Sequence, residues 1–108
     1  MVTKPVHLSN GMSFEKAGDA EAFFRAILNS GEMLTPISSE QREALNQLFN
    51  DYCSATEWQM PAAPQEYFRD WNRAKERSTK SFFVRYDNGF VDDFSYIKAV
   101  RAVANWKR

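Results

Sequence analysis

The residues able to do chemistry in this chain are few and scattered. Asp92 and Asp93 are consecutive, with Asp87 close before them. In an extended strand neighbouring side chains point to opposite faces, so Asp92 and Asp93 cannot form one metal-binding or acid–base pair without a bulge. The roles expected instead are structural: Asp92 paired with Arg85 or a neighbour across a hairpin, and Asp93 helping to cap the helix that follows. A magnesium-dependent nuclease needs several converging carboxylates, and these three do not make such a set by themselves. His7 is the only histidine and sits in a short apolar run, where a structural or exposed role is expected. Cys53 is the only cysteine, which excludes an internal disulfide and a multi-thiolate metal site. It lies at the end of a helical apolar stripe with no histidine beside it, and reads as a small buried hydrophobe. Phosphate-binding glycine loops, nucleophile elbows and zinc-finger spacings are absent. The chemistry points away from an enzyme, and no cofactor is expected.

Binding chemistry is better represented. From Tyr67 to Tyr86, rings alternate with cations: Phe68, Arg69, Trp71, Arg73, Lys75, Arg77, Lys80, Phe82, Phe83 and Arg85. Cations neutralise phosphates and exposed rings stack on unpaired bases, a combination suited to RNA or single-stranded DNA. The formal net charge of zero hides a split. Four bases face nine acids through Glu66, and ten bases face five acids after it. Such a bipolar molecule can present a basic face to an anionic partner. The candidate nucleic-acid contacts are Arg73, Lys75, Arg77, Lys80, Arg85 and Lys98. The competing arrangement is a half-buried sheet whose rings are core and whose cations are its wet side. Exposure of Trp71 or Tyr86 beside Arg73 and Arg85 separates the two.

The elements that must hold these residues are legible. Phe82, Val84 and Tyr86 share one side of a strand. Asp87-Asn88-Gly89 supplies turn residues that accept positive φ, and Phe90 to Phe94 is the return strand. Ser95 then stands as the N-cap of a helix from Tyr96 to about Trp106, with Ile97, Val100, Val103 and Ala104 toward the core. At the other end, Val6 to Leu8 and Met12 to Phe14 flank Ser9-Asn10-Gly11, a second hairpin signal. Ala20, Phe23, Phe24, Ile27 and Leu28 have helical spacing. This helix starts either at an Asp19 cap or near Lys16, carrying Gly18, and Gly31 reads as its left-handed stop. Ser38 and Gln41 make a capping-box pattern before the stripe Ala44, Leu45, Leu48, Phe49 and Tyr52. Residues 54–65 read as a loop containing Pro61 and Pro64. Tyr67 to Arg73 alternates as a strand, with a short helix as the alternative, and Lys75 to Lys80 is a polar turn.

With 108 residues the chain has the size of one domain. The expected fold is α+β: an antiparallel sheet with a C-terminal hairpin, a helical hairpin and the C-terminal helix packed on one face. No apolar run approaches the roughly 18 residues that span a bilayer. Met1-Val2-Thr3-Lys4-Pro5 is not followed by an apolar signal segment, so a soluble cytoplasmic protein is expected.

The run Phe82 to Gly89, followed by Asp92-Asp93-Phe94-Ser95-Tyr96-Ile97-Lys98, resembles the end of the DCL-like domain family. That family is named for the plant defective chloroplasts and leaves protein. Phe14, Lys16, Ala17, Phe23-Phe24 and Ile27-Leu28 resemble its opening pattern, so the likeness spans residues 1–108 as a single domain. The middle departs from it: Tyr52-Cys53-Ser54-Ala55 stands where the family often has His-Pro. The resemblance implies an accessory domain linked to RNA, to a ribonucleoprotein or to an RNA polymerase complex, with no catalytic residues. The functional expectation is a binding module for RNA or a ribonucleoprotein partner. The alternative is a protein-docking module using Trp58, Met60 and Trp71 as an apolar patch, and the third a small hydrolase or nuclease.

Overall fold

Two hairpins built by the same turn chemistry open and close the fold. The computed structural model describes residues 5–72 and 79–106. The first hairpin joins β1 (Val6–His7) to β2 (Ser13–Phe14). The last joins β4 (Thr79–Tyr86) to β5 (Val91–Phe94). In each, three residues ending in Asn-Gly form the loop. Leu8 N–H donates to the Met12 carbonyl at 2.8 Å, as Tyr86 N–H does to Phe90 at 2.9 Å. Gly11 and Gly89 donate back to Leu8 and Tyr86, with φ of 97° and 90°. Asn10 and Asn88 each accept, through Oδ1, the N–H two residues on, both at 3.0 Å. This is a three-residue loop with glycine in the left-handed position, which a side chain would strain. The positive φ falls on glycine alone. Asn88 contributes its side-chain acceptor, not a left-handed backbone. Phe90 accordingly belongs to the turn, and the return strand starts at Val91.

Between the hairpins lie α1 (Ala17–Leu28), α2 (Ser39–Thr56) and β3 (Pro64–Asn72), and the chain ends on α3 (Tyr96–Ala104). β3, β4 and β5 form one antiparallel sheet in that order. Tyr67 lies opposite Val84, and Arg69 opposite Phe82, on the face that meets the helices. The fold is thus α+β, with three helices and two small antiparallel sheets among the described residues. Its main core joins Phe24, Leu45, Leu48, Phe82, Val84, Tyr86 and Val100. Each large buried side chain of this kind contributes about 1.5–3 kcal/mol. Among the described residues no helix is long and apolar enough to cross a membrane.

Several local expectations change in three dimensions. α1 starts after Lys16, and Asp19 lies in its first turn rather than capping it. α2 continues through Thr56, and Glu57 ends it in the left-handed conformation (φ 57°). The expected 54–65 loop is therefore shortened at both ends, to residues 57–63: residues 54–56 close the helix, and Pro64 already begins β3. The proline is tolerated there as the first residue of a strand on the sheet's edge. Ser38 is the N-cap of α2, but its side chain makes no capping hydrogen bond. On α3, Ser95 does cap: its Oγ accepts from Lys98 N–H at 3.3 Å. Ala99, rather than Ile97, completes the buried stripe of that helix with Val100 and Val103.

The reason Gln41 does not close a capping box is Arg69. This guanidinium is 4 % exposed and sits under the α1–α2 connection. Its Nε donates to the Ile27 carbonyl at 2.8 Å, and one Nη reaches Ser30 Oγ and Gln41 Oε1, each at 3.4 Å. Gly31 is the space for it: a Cβ there would stand 2.5 Å from Nη1 and 2.9 Å from Cζ. Gly31 is not in the left-handed region, and α1 ends on Asn29 instead. We expect Gly31→Ala to cost about 1–3 kcal/mol by overpacking, because Arg69 is held at several points and cannot withdraw. Urea unfolding should show most of that penalty disappearing in an Arg69→Met background, a coupling that a double-mutant cycle measures. Equal costs in both backgrounds would mean that Gly31 acts through its backbone.

Candidate binding groove

A groove of about 810 Å³ lies where the end of α2, the end of the β-sheet and the start of α3 meet. Sequence spacing explains its walls. Phe49, Tyr52, Cys53 and Thr56 fall on one stripe of α2, which is visible only once the helix is allowed to run to residue 56. Trp58, thrown back by the left-handed Glu57, packs edge-on against Phe49 with centroids 6.2 Å apart and remains 47 % exposed. Opposite stand Asp92 and Asp93 from β5, and Tyr96 and Lys98 from the first turn of α3. Lys80 enters from the start of β4.

Of the six expected contacts, the fold brings Lys80 and Lys98 into this one groove. Arg85 goes elsewhere. It lies on the opposite sheet face, paired with Glu66, and its guanidinium carbon is 5.2 Å from the centroid of the Phe68 ring. Phe68 in turn stacks on Phe83 at 5.5 Å. Rings and cations here hold each other, and both phenylalanines lie outside the main core. Arg73, Lys75 and Arg77 lie outside the described residues.

The two discriminating rings divide. Tyr86 is fully buried, whereas Trp71 is 45 % exposed on β3 opposite Lys80. Tyr86 is a core ring with one polar contact, in which its hydroxyl donates to Asp92 Oδ2 at 2.9 Å. Burial, and then the hydrogen bond to Asp92, hold this phenol well above its ordinary pKa, so it remains a donor. Asp92 thus meets a hairpin neighbour as expected, but the neighbour is Tyr86. Tyr67 is likewise buried, with its pKa raised by desolvation, and donates to Asn46 Oδ1 at 2.8 Å.

Sequence reasoning placed Trp58 only in an apolar docking patch with Met60 and Trp71, and Tyr96 lacked any spacing signal as a groove residue. Arg25, counted with the acidic half, was missed as a partner of this groove residue: its Nε donates to the Tyr96 hydroxyl at 3.1 Å. That contact raises the Arg25 pKa above its ordinary value. Asp51 was also unforeseen. It is buried on α2, where Oδ2 accepts from Ser9 N–H at 2.9 Å and Oδ1 from Ser9 Oγ at 2.8 Å and Gln47 Nε2 at 3.0 Å. It is a clamp between hairpin and helix, remote in sequence. Among the described residues no group of three or more His, Cys, Asp and Glu side chains is placed to hold a metal ion. His7 is exposed on β1.

Cys53 lies in the groove wall but is buried, and desolvation pushes its thiol up to about 11 from an ordinary 9.0. The thiolate is the reactive form, so between pH 7 and 9 the native protein should react with an aromatic disulfide reagent far more slowly than denatured protein. The rate should climb only as pH approaches 11. Full labelling of the native protein within minutes at pH 8 would contradict this.

Comparison with known proteins places the architecture. Residues 25–100 match the family model described as "Protein of unknown function (DUF3223)". The solution NMR structure of an uncharacterized protein from Rhodospirillum rubrum is similar to this chain. The two superpose with a TM-score of 0.71 over 91 % of this chain and 89 % of that one, at 21 % sequence identity, which shows a shared fold. No curated protein gives a significant match.

Proposed function

The chain belongs to the DUF3223 family, and we propose that its groove makes it a non-catalytic module for single-stranded RNA, free or within a ribonucleoprotein. One observation carries this reading. Lys80 and Lys98, from different elements, open onto the same groove as the half-exposed Trp58. Cations that reach phosphates beside a ring that takes a base are the two parts of a single-strand site. Arg25 adds a positive charge hydrogen-bonded to the groove residue Tyr96. The volume lies within the range of small-ligand clefts, roughly 300–1,000 Å³. The resemblance of the closing segment to DCL-like domains points the same way. A protein-docking role is the second reading, favoured by the exposure of Trp58 and Trp71; Met60 instead packs against the core.

The test is fluorescence anisotropy with a labelled 12-nucleotide single-stranded RNA of mixed sequence, titrated at low and moderate salt. Binding should weaken as salt rises. The Lys80→Ala/Lys98→Ala pair should weaken it further and flatten the salt slope by about 1.4, two phosphate contacts at about 0.7 each. Absence of association at about 50 mM salt, a condition under which phosphate contacts are strong, overturns the reading.

A further inference from the structure

The same groove contains a group that phosphate recognition does not use. Asp92 lies on the helix-facing side of β5, because it is opposite Val84 in the register, and it lines the groove. Its Oδ2 accepts from Tyr86, while Oδ1 has no hydrogen-bond partner among the described residues. The Tyr86 ring is fully buried, so the carboxylate is anchored from behind and held in one orientation. An ionised carboxylate only accepts hydrogen bonds, with about four lone-pair positions over its two oxygens. It repels phosphate, and a groove built for the backbone alone has no use for it. Sharing its groove with an exposed ring and two lysines, it suits a base edge that presents donors.

Among the four bases, guanine presents two adjacent donors on its pairing edge, N1–H and the exocyclic N2 amine. Adenine and cytosine present one amine donor beside a ring-nitrogen acceptor that a carboxylate repels. Uracil presents one N–H between two carbonyl acceptors. We propose that Asp92 makes this groove selective for an unpaired guanine, with the base on Trp58, its N1–H and N2 amine on the Asp92 carboxylate, and the flanking phosphates on Lys80 and Lys98. This rests on the groove being a single-strand RNA site. Asp92 is then the specificity-determining residue and Tyr86 its positioning residue.

The experiment compares three labelled oligouridines by anisotropy, one all-uridine, one with a single central guanosine and one with inosine at that place. A single guanosine avoids self-association of guanine runs. The guanosine strand should bind at least about tenfold tighter than all-uridine, the discrimination of a good two-point base contact. Inosine, which keeps N1–H and lacks the N2 amine, should lose most of that gain. Asp92→Asn should erase the guanosine preference, so that the guanosine and all-uridine strands bind that variant equally, with thermal unfolding confirming that the variant folds. The inosine comparison needs no variant and stands even if Asp92→Asn is unstable. Equal binding of all three strands, or a guanosine preference that survives in Asp92→Asn, overturns the selectivity and leaves the RNA reading intact. Failure of every strand to bind at low salt overturns both.

Discussion

The packing of this domain depends on one buried cation. Arg69 is enclosed with no carboxylate among the described residues to pair with it, and burial lowers its pKa below the ordinary arginine value. Guanidinium remains charged in proteins, so the surroundings must solvate it. They do so with the exposed carbonyl end of α1, the negative end of a helix dipole, and with Ser30 and Gln41. Three elements far apart in sequence converge on one planar group: α1, the start of α2 and β3. Its geometric demands then reach outward. Gly31 has to be small, and Gln41 is drawn away from capping its own helix.

The same anchor sets the edge of the sheet. With Arg69 turned under the connection, its backbone carbonyl accepts from Leu34 N–H at 2.7 Å, and the Tyr67 carbonyl accepts from Ile37 N–H at 2.8 Å. The α1–α2 connection thereby covers part of the β3 edge, which otherwise offers unpaired backbone groups to other chains. Leu34 adopts a left-handed backbone (φ 61°) to do it, a conformation uncommon for a leucine and tolerated where surrounding contacts hold it. Asp51 does comparable work elsewhere, tying the first hairpin to α2 through Ser9. Two buried polar groups thus position the elements, while the aromatic core supplies the cohesion.

The groove is a consequence of those placements. α2 runs one turn past its last fully buried residue, Trp58 folds back onto Phe49, and the β5–α3 junction closes the other side. Tyr86 joins the core to this junction, because its ring packs inside while its hydroxyl emerges at Asp92. The opposite sheet face is self-contained by comparison. There Arg85 is taken up by Glu66 and Phe68. A cation counted in sequence as available for a partner is engaged within the fold.

Local patterns determined the elements. Alternation in 82–86, the Asn-Gly turns at 10–11 and 88–89, the Ser95 cap and the apolar stripe of α2 are each written in a few neighbouring residues. Such features depend on backbone sterics and side-chain periodicity, which act over one or two turns of chain. Tertiary structure alone decided the roles of Arg69, Gly31, Asp51, Tyr86 and Arg85, because each is defined by a partner on another element. Arg69 and Arg85 occupy the same kind of alternating strand, and nothing nearby in sequence distinguishes them. One faces a helix end whose carbonyls can solvate a buried charge, and the other, itself exposed, faces a partly buried glutamate. Which face of the sheet the helices cover is a global packing outcome, and that choice separates a structural cation from a surface one.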